Sequence, residues 1–286
     1  DMHSLISRRV ELEQDLRRAL VAGELSVWYQ PVMRLSDGQC VGAEALVRWE
    51  HPDHGLLRPD EFIPVAEEAG LIAELERQVL GTACSEASTW TTPDGRPLTV
   101  SVNISPQHVM DGTVAADVAA ALAATGLPSS RLLIELTERS LLGGSSAQAA
   151  VRAVHALGCH IALDDFGTGY SSIAHLRDFP VHILKLDRSF VSSMTTDLPV
   201  SRLVHAILQL SQTLGISCTA EGVETAAHAR RLRAAGCSFA QGYLYAPALP
   251  PAQFTAWLAS REPVHVPRPR LVDDVECDVL GVIAAE

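Results

Sequence analysis

Lysine and asparagine are almost missing from this sequence of 286 residues. Of its 22 basic residues only Lys185 is a lysine, and Asn103 is the single asparagine. A composition that avoids both types yet keeps one of each points to positions where arginine or aspartate would not serve. Also missing is any run of about eighteen uncharged apolar residues, which excludes a membrane-crossing helix. The first thirty residues given carry charges throughout and are not expected to form a secretory signal. The chain therefore reads as soluble and cytoplasmic. It opens on Asp1 ahead of Met2 and runs directly into a charged helix, as a piece of a longer protein would, with any membrane or sensor region lying upstream. No CxxC pair occurs among Cys40, Cys84, Cys159, Cys218, Cys237 and Cys277. Lone cysteines, several of them inside apolar runs, are read as buried free thiols rather than zinc ligands or disulfides. Basic charge is scarce, and a formal net charge of −12 excludes the clustered cationic surface that holds duplex nucleic acid. A phosphate-bearing substrate would need metal ions or a few placed arginines.

What is present is apolar and regular. With 47% hydrophobic residues the chain can bury a large core, and its length suits one α/β barrel or two smaller domains. Leu12, Leu16, Ala19 and Leu20 keep a helical period, and Gly23 follows where a helix would stop. Two β-prone runs, LSVWYQPVMRL and QCVGAEALVRWE, are joined by Ser36, Asp37 and Gly38, a hairpin signal. A helical stretch broken at Gly70 comes next. Strand-like runs then recur at 98–104, 132–136, 160–163, 182–186, 216–220 and 238–243, separated by amphipathic segments that close on glycines such as Gly158 and Gly215. Strands that are continuously apolar and mostly followed by helices predict a parallel sheet covered on both faces. The expected fold is α/β, a TIM-like (β/α)8 barrel with one antiparallel strand contributed by the opening hairpin; an open doubly wound sheet is the alternative. The expected division is a linker helix over 1–23, a catalytic domain over 24–262 and a tail over 263–286, where prolines and acids mixed with valines change the texture.

Barrels gather function at the carboxyl ends of their strands. In chain order, the polar residues within or closing the strands are Glu44, Asn103, Glu135, Asp164 with Asp165, Lys185, Glu221 and Gln241. The lone asparagine and the lone lysine both fall in this series. Carboxylates crowded at one rim cannot stay ionised without cations among them. Oxygen-only ligands select Mg²⁺, Mn²⁺ or Ca²⁺ over zinc, and adjacent carboxylates such as Asp164 and Asp165 can reach two different ions. Two such ions stabilise the attacking and leaving oxygens of in-line displacement at phosphorus, which is phosphodiester hydrolysis. Lys185, compact and titratable, suits orienting a water, whereas arginine would suit a phosphate clamp.

These residues sit in motifs by which the chain resembles the EAL family of cyclic di-GMP phosphodiesterases over about 16–258. The blocks are WYQPV, GAEALVRWEHP, FIPVAEEAGLI, VNISPQ, IELTE, ALDDFGTGYSS, LKLDRSF, AEGVET and QGYLYAPALP, in that order. The resemblance implies a (β/α)8 barrel that hydrolyses cyclic di-GMP to linear pGpG with two Mg²⁺ or Mn²⁺ ions per site. It also implies that Glu44, Asn103, Glu135 and Asp164 are metal ligands, that Asp165 reaches the second metal, and that Glu221 holds that metal or its water. By the same carry-over Lys185 positions the attacking water, Gln30, Leu46 and Arg48 contact the phosphate and sugar side, and Gln241 lies near a guanine. The resemblance further implies that Phe166, Gly167, Thr168 and Gly169 belong to a mobile loop linking the metal centre to a dimer interface, with Glu224 as its pin. Ala246 stands where the family commonly has a polar residue, and Ile104 where it has leucine. A homodimer is expected, and the entry helix is similar to linkers that follow an upstream GGDEF domain.

Three other features have plainer readings. His51 and His54 form an HxxH pair expected in a loop, and Arg230, Arg231 and Arg233 form an expected solvated helix face. Trp28, Trp49, Trp90 and Trp257 are read as packing, with Trp49 close enough to Arg48 to help orient it. Besides the enzyme, two readings stay open: a receptor that binds cyclic di-GMP without cutting it, and a metal-dependent enzyme acting on another phosphoester.

Overall fold

The computed structural model describes residues 2–167 and 179–261. Strands β1 (Leu25–Arg34) and β2 (Cys40–His51) form the expected antiparallel hairpin. Its turn is set by Gly38 at φ +72°, whose N–H donates to the Arg34 carbonyl at 2.8 Å. A short strand β3 (Gly55–Leu57) adds to the outer end of β2. Parallel strands β4 (Thr99–Ile104), β5 (Leu132–Thr137), β6 (His160–Phe166), β7 (Ile183–Leu186), β8 (Ser217–Ala220) and β9 (Phe239–Ala240) follow from β2. Pairing of Met33 with Ala240 joins β9 back to β1 and closes an eight-stranded barrel, with β3 as the extra strand. Because β1 is antiparallel to both neighbours, the carboxyl ends of the other seven barrel strands share one rim.

Helices α1 (Met2–Ala22), α2 (Pro59–Glu68), α3 (Ile72–Ser88), α4 (Pro106–Asp111), α5 (Val114–Thr125), α6 (Glu138–Leu141) and α7 (Gly144–Ala156) surround the first half. After β7 come α8 (Arg188–Ser193), α9 (Leu198–Thr213), α10 (Ala226–Ala234) and α11 (Pro251–Ala259). The break at Gly70 separates α2 from α3, with φ +67°. The entry helix packs onto the barrel, burying Leu16, Ala19 and Leu20, and its Asp15 carboxylate lies 3.2 Å from the His51 ring.

The core has two layers. Outward-facing strand residues such as Val100, Ile134, Ile161, Leu184 and Cys218 pack under the helices in one continuous cluster. Inside the bore lies a separate apolar plug of Leu133, Ala162 and Ile183. Side chains along a strand alternate faces, so each plug residue has a polar partner two places on: Glu135, Asp164 and Lys185. The apolar layer is thus the floor on which the polar layer stands. At Gly42 the barrel tolerates no side chain, since a Cβ would lie 2.8 Å from the Thr99 carbonyl oxygen on β4.

Candidate active site at the carboxyl rim

Lys185 on β7 is the hub. It is buried, and its Nζ lies 2.5 Å from Glu135 Oε2, 2.7 Å from Glu221 Oε1, and 3.3 Å from both Glu44 Oε2 and Asp164 Oδ1. These acids come from β2, β5, β6 and the residue following β8, so barrel closure brings them together. Glu44 also accepts from the Asn103 amide at 2.8 Å and from the Gln241 amide at 2.6 Å. Gln241 further donates to Glu221 at 3.3 Å. The series read along the strand ends therefore converges completely, with Gln241 buried among the acids and bonded to two of them.

One positive charge cannot neutralise this many carboxylates. Lys185 is held charged: burial works against its proton, but Glu135, Glu221, Glu44 and Asp164 together raise its pKa well above the usual lysine value. Burial also raises Glu44, yet Lys185 and the two amides outweigh it and hold that carboxyl low. Burial, followed by the negative charges of Glu44 and Asp164, pushes Glu135 far up despite Lys185. Burial likewise lifts Glu221 to about 8, with Asp164 and Glu44 adding to it. A site whose acids hold protons for want of positive charge is one that added cations would stabilise. The donors, carboxylates and a side-chain amide, are the hard oxygen set that Mg²⁺ and Mn²⁺ take. Oxygens of Asp164, Asp165 and Glu221 lie within 4.8 Å of one another, close enough to share an ion.

Adjacent aspartates on a regular strand would point to opposite faces. The β6–β7 register shifts between Leu163 and Phe166, and Asp165 takes φ +54°, the one non-glycine positive φ among the described residues. This bulge brings both carboxylates to the same rim, each within 4.8 Å of Glu221, with backbone strain of the kind found at functional sites. Burial and the neighbouring Asp164 raise the pKa of Asp165.

Gln30 on β1 stands directly opposite Glu44 and donates to the Ala246 carbonyl at 3.3 Å. Leu46, Asn103, Asp164 and Asp165 line one cleft together with Asp60 and Ile63 of α2. The Arg48 guanidinium lies over the Trp28 ring, 5.5 Å from its centroid. That corrects the expectation for Trp49, which as the next residue points to the other face, is buried, and donates to Glu24 at 3.0 Å. Gly167, with φ +94°, donates its N–H to Glu138 Oε1 at 3.2 Å. Glu138 ends the IELTE block, where only Glu135 drew notice; a second acid three residues further on was the available signal. Phe166 is buried and Glu224 is exposed, while Thr168, Gly169 and the tail over 263–286 lie outside the described residues. His51 accepts from the backbone N–H groups of Asp53 and His54 at 3.1 and 3.2 Å, which makes HxxH a loop brace. Arg230, Arg231 and Arg233 are exposed, as expected. Cys40, Cys84, Cys159, Cys218 and Cys237 are free and buried.

Fold and site together define an α/β barrel with a carboxylate-rich centre built around a buried lysine and suited to divalent cations. The EAL domain profile matches residues 13–248, and the chain belongs to that family. It is 40% identical over 264 residues to an uncharacterized signaling protein of Caulobacter vibrioides, covering 92% of this chain and 32% of that one. It is 36% identical to the bifunctional diguanylate cyclase/cyclic di-GMP phosphodiesterase MucR of Pseudomonas aeruginosa, covering 90% of this chain and 38% of MucR. The chain thus spans about a third of the length of these relatives. The PaMucR phosphodiesterase in complex with c-di-GMP superposes with a TM-score of 0.80 at 37% identity, over 85% of this chain and 99% of that one. The EAL domain of Xanthomonas citri FimX, in complex with c-diGMP, gives 0.77 at 28% identity, over 87% and 97%.

Proposed function

We propose that this domain hydrolyses cyclic di-GMP to linear pGpG in the cytoplasm, using two Mg²⁺ or Mn²⁺ ions. The observation that carries the reading is the meeting of Glu44, Glu135, Asp164 and Glu221 on the single ammonium of Lys185. Glu44, Asn103, Glu135 and Asp164 would hold one ion, and Asp165 with Glu221 the other. When bound, these ions neutralise the phosphodiester and acidify water. The chain's own groups do the rest. Lys185 Nζ orients the attacking water, and its buried, fixed position makes it a better guide than a mobile surface lysine. Glu221 and Glu44 flank Lys185 and receive the water's proton. Water oxygen forms a bond to phosphorus, the bond from phosphorus to one ribose 3′ oxygen breaks, and that oxygen takes a proton from solvent, balancing the one passed to Glu221 or Glu44. Opening one of two phosphodiester links converts the ring to 5′-pGpG.

Gln30, Leu46 and Arg48 would hold the phosphate and sugar side. Arg48 is prepared for this by Trp28, which fixes the guanidinium plane without neutralising it. Gln241 spends its amide N–H groups on Glu44 and Glu221, and its amide oxygen, which has no partner among the described residues, is the atom it would offer to a guanine N–H. The domain would act as a homodimer through the segment that begins at Phe166 and Gly167, with Glu224 as its pin, and an upstream GGDEF or sensor domain would regulate it. The test is incubation of purified protein with cyclic di-GMP and Mn²⁺ or Mg²⁺, with pGpG followed by chromatography. Tight binding without pGpG would identify a receptor instead. Turnover of other phosphoesters but not of cyclic di-GMP would identify a different hydrolase.

A further inference from the structure

Beside Asn103, and reaching the same cleft through Glu76, lies a buried charged cluster to which the reaction assigns no role. Glu76 of α3 is 6% exposed, and its Oε1 accepts the Ser105 backbone N–H at 2.7 Å. Its Oε2 lies 2.8 Å from Nδ1 of His108, which is fully buried on α4. The other ring nitrogen lies 2.9 Å from Asp117 Oδ2 on α5, and Arg77 stands 3.9 Å from that same carboxylate oxygen. Both imidazole nitrogens face carboxylate oxygens, the arrangement a charged ring satisfies by donating from both, while burial also raises the pKa of Glu76. Burial opposes that charge, but the bonds to Glu76 and Asp117 outweigh it and raise the pKa of His108.

Such a cluster is expensive to bury and adds little net stability compared with apolar packing. What it provides is a fixed geometry. The β4–β5 ladder ends at Ile104, which pairs with Leu136, so Ser105 N–H lies beyond the sheet. Glu76 receives that N–H, and Ser105 Oγ in turn accepts the His108 N–H at 3.3 Å. The chain is therefore clamped from two sides just past Asn103, whose amide donates to Glu44. We propose that Glu76, locked by His108 and Asp117, is a positioning residue that holds the end of β4 so that the Asn103 amide oxygen stays aimed at the metal position. The inference rests on Asn103 being a metal ligand. Partners behind metal ligands are typically worth roughly ten- to a hundredfold in metal affinity.

The sequence offers an unusually clean probe, because Asn103 is its only asparagine. Protein labelled with ¹⁵N-asparagine gives one side-chain amide nitrogen, read as a single pair of N–H signals and observable without metal or substrate. In Glu76→Ala that signal should shift and broaden, and the Mn²⁺ concentration that quenches it should rise roughly ten- to a hundredfold. Glu76→Gln keeps an oxygen for Ser105 N–H and should stay within about threefold of the parent, which loss of a buried side chain alone would not explain. Should Glu76→Ala fail to fold, Asp117→Ala removes only the outer clamp on His108 and should move both readouts in the same direction by less. A folded Glu76→Ala or Asp117→Ala with parental signal and parental Mn²⁺ midpoint would overturn the proposal, whatever its melting temperature. Failure of Mn²⁺ to quench the signal in the parent would instead overturn the metal role of Asn103, while the metal-free signal still reports whether Glu76 positions it.

Discussion

Lys185→Met isolates the electrostatic logic of the site. The change keeps much of the side-chain volume and removes the cation that, among the described residues, pairs with Glu44, Glu135, Asp164 and Glu221. Stripping one partner from a buried ion cluster costs about 3–5 kcal/mol, because the charges left behind are uncompensated. For a domain of this size each kcal/mol lowers the melting temperature by about 2–4 °C, so metal-free protein should melt roughly 6–20 °C lower. The sign with pH follows from the acids. Glu221 already carries a folded-state pKa of about 8 against a model-peptide value near 4.5, so its contribution is complete below the latter and is lost as pH rises through the former. Without Lys185 the other acids join it, and the deficit should be largest above pH 8 and shrink toward pH 5. Mn²⁺ should restore the variant more than it stabilises the parent, since ligand binding to the native state alone raises stability by mass action. Differential scanning fluorimetry in EDTA and then in Mn²⁺, from pH 5 to 8.5, reads all of this. A variant melting within about 2 °C of the parent in EDTA at high pH would refute the claim that Lys185 offsets part of the cluster's negative charge.

Other consequences are more local. Glu44→Ala or Asn103→Ala should each lower pGpG formation by at least about a hundredfold, and retention of most activity in either would mean the ligand set is misassigned. Lys185→Arg keeps the charge but forces a planar, bulkier group into a pocket whose four oxygen contacts lie at 2.5–3.3 Å, so its turnover should stay well below the parent's. Gly167→Pro removes the N–H that reaches Glu138 and cannot adopt φ +94°; activity should fall about tenfold or more with a folded barrel, and a parental rate would show the geometry there to be incidental. At the opposite end of the barrel, burial first and then His160 and His155 push His182 down to about 4. A depressed histidine contributes stability that is complete above pH 6.5 and lost toward pH 4. Allowing for its partial exposure, this loss amounts to about 1–2 kcal/mol. The His182→Asn protein should lack that part of the acid sensitivity in urea melts, and an unchanged acid limb would assign it elsewhere.

Much of the site could be read from the chain because strand ends in a parallel barrel have a simple grammar. A continuous apolar run closes on a polar residue, and the paired residues Ser101 and Asn103, Leu133 and Glu135, Ala162 and Asp164, Ile183 and Lys185, and Thr219 and Glu221 repeat one inward step. What escaped was set by backbone departures that periodicity does not encode. Strand β6 was expected to stop at Leu163 but runs to Phe166, because a bulge carries both aspartates within it. The last strand was expected over 238–243 but is only Phe239–Ala240. From Gln241 on, the chain turns to the loop after β8, with Val223 N–H donating to Gln241 and Leu244 N–H to Val223. Gly242 permits that turn, since a Cβ there would lie 2.3 Å from Val223 N. The same turn leaves the Gln241 amide inside the rim. Likewise, no local pattern joins Glu76, His108 and Asp117, which meet only when α3, α4 and α5 pack beside β4.

Cleavage of a cyclic dinucleotide at one rim organised by Lys185 leaves a direct isotopic signature. Purified protein given cyclic di-GMP and Mn²⁺ in H₂¹⁸O, with the product analysed by mass spectrometry, tests it most directly. The expected outcome is pGpG with a single ¹⁸O on its 5′-phosphate and no turnover in Lys185→Met or in EDTA. Cyclic di-GMP bound but recovered intact would contradict it, as would turnover that survives loss of Lys185.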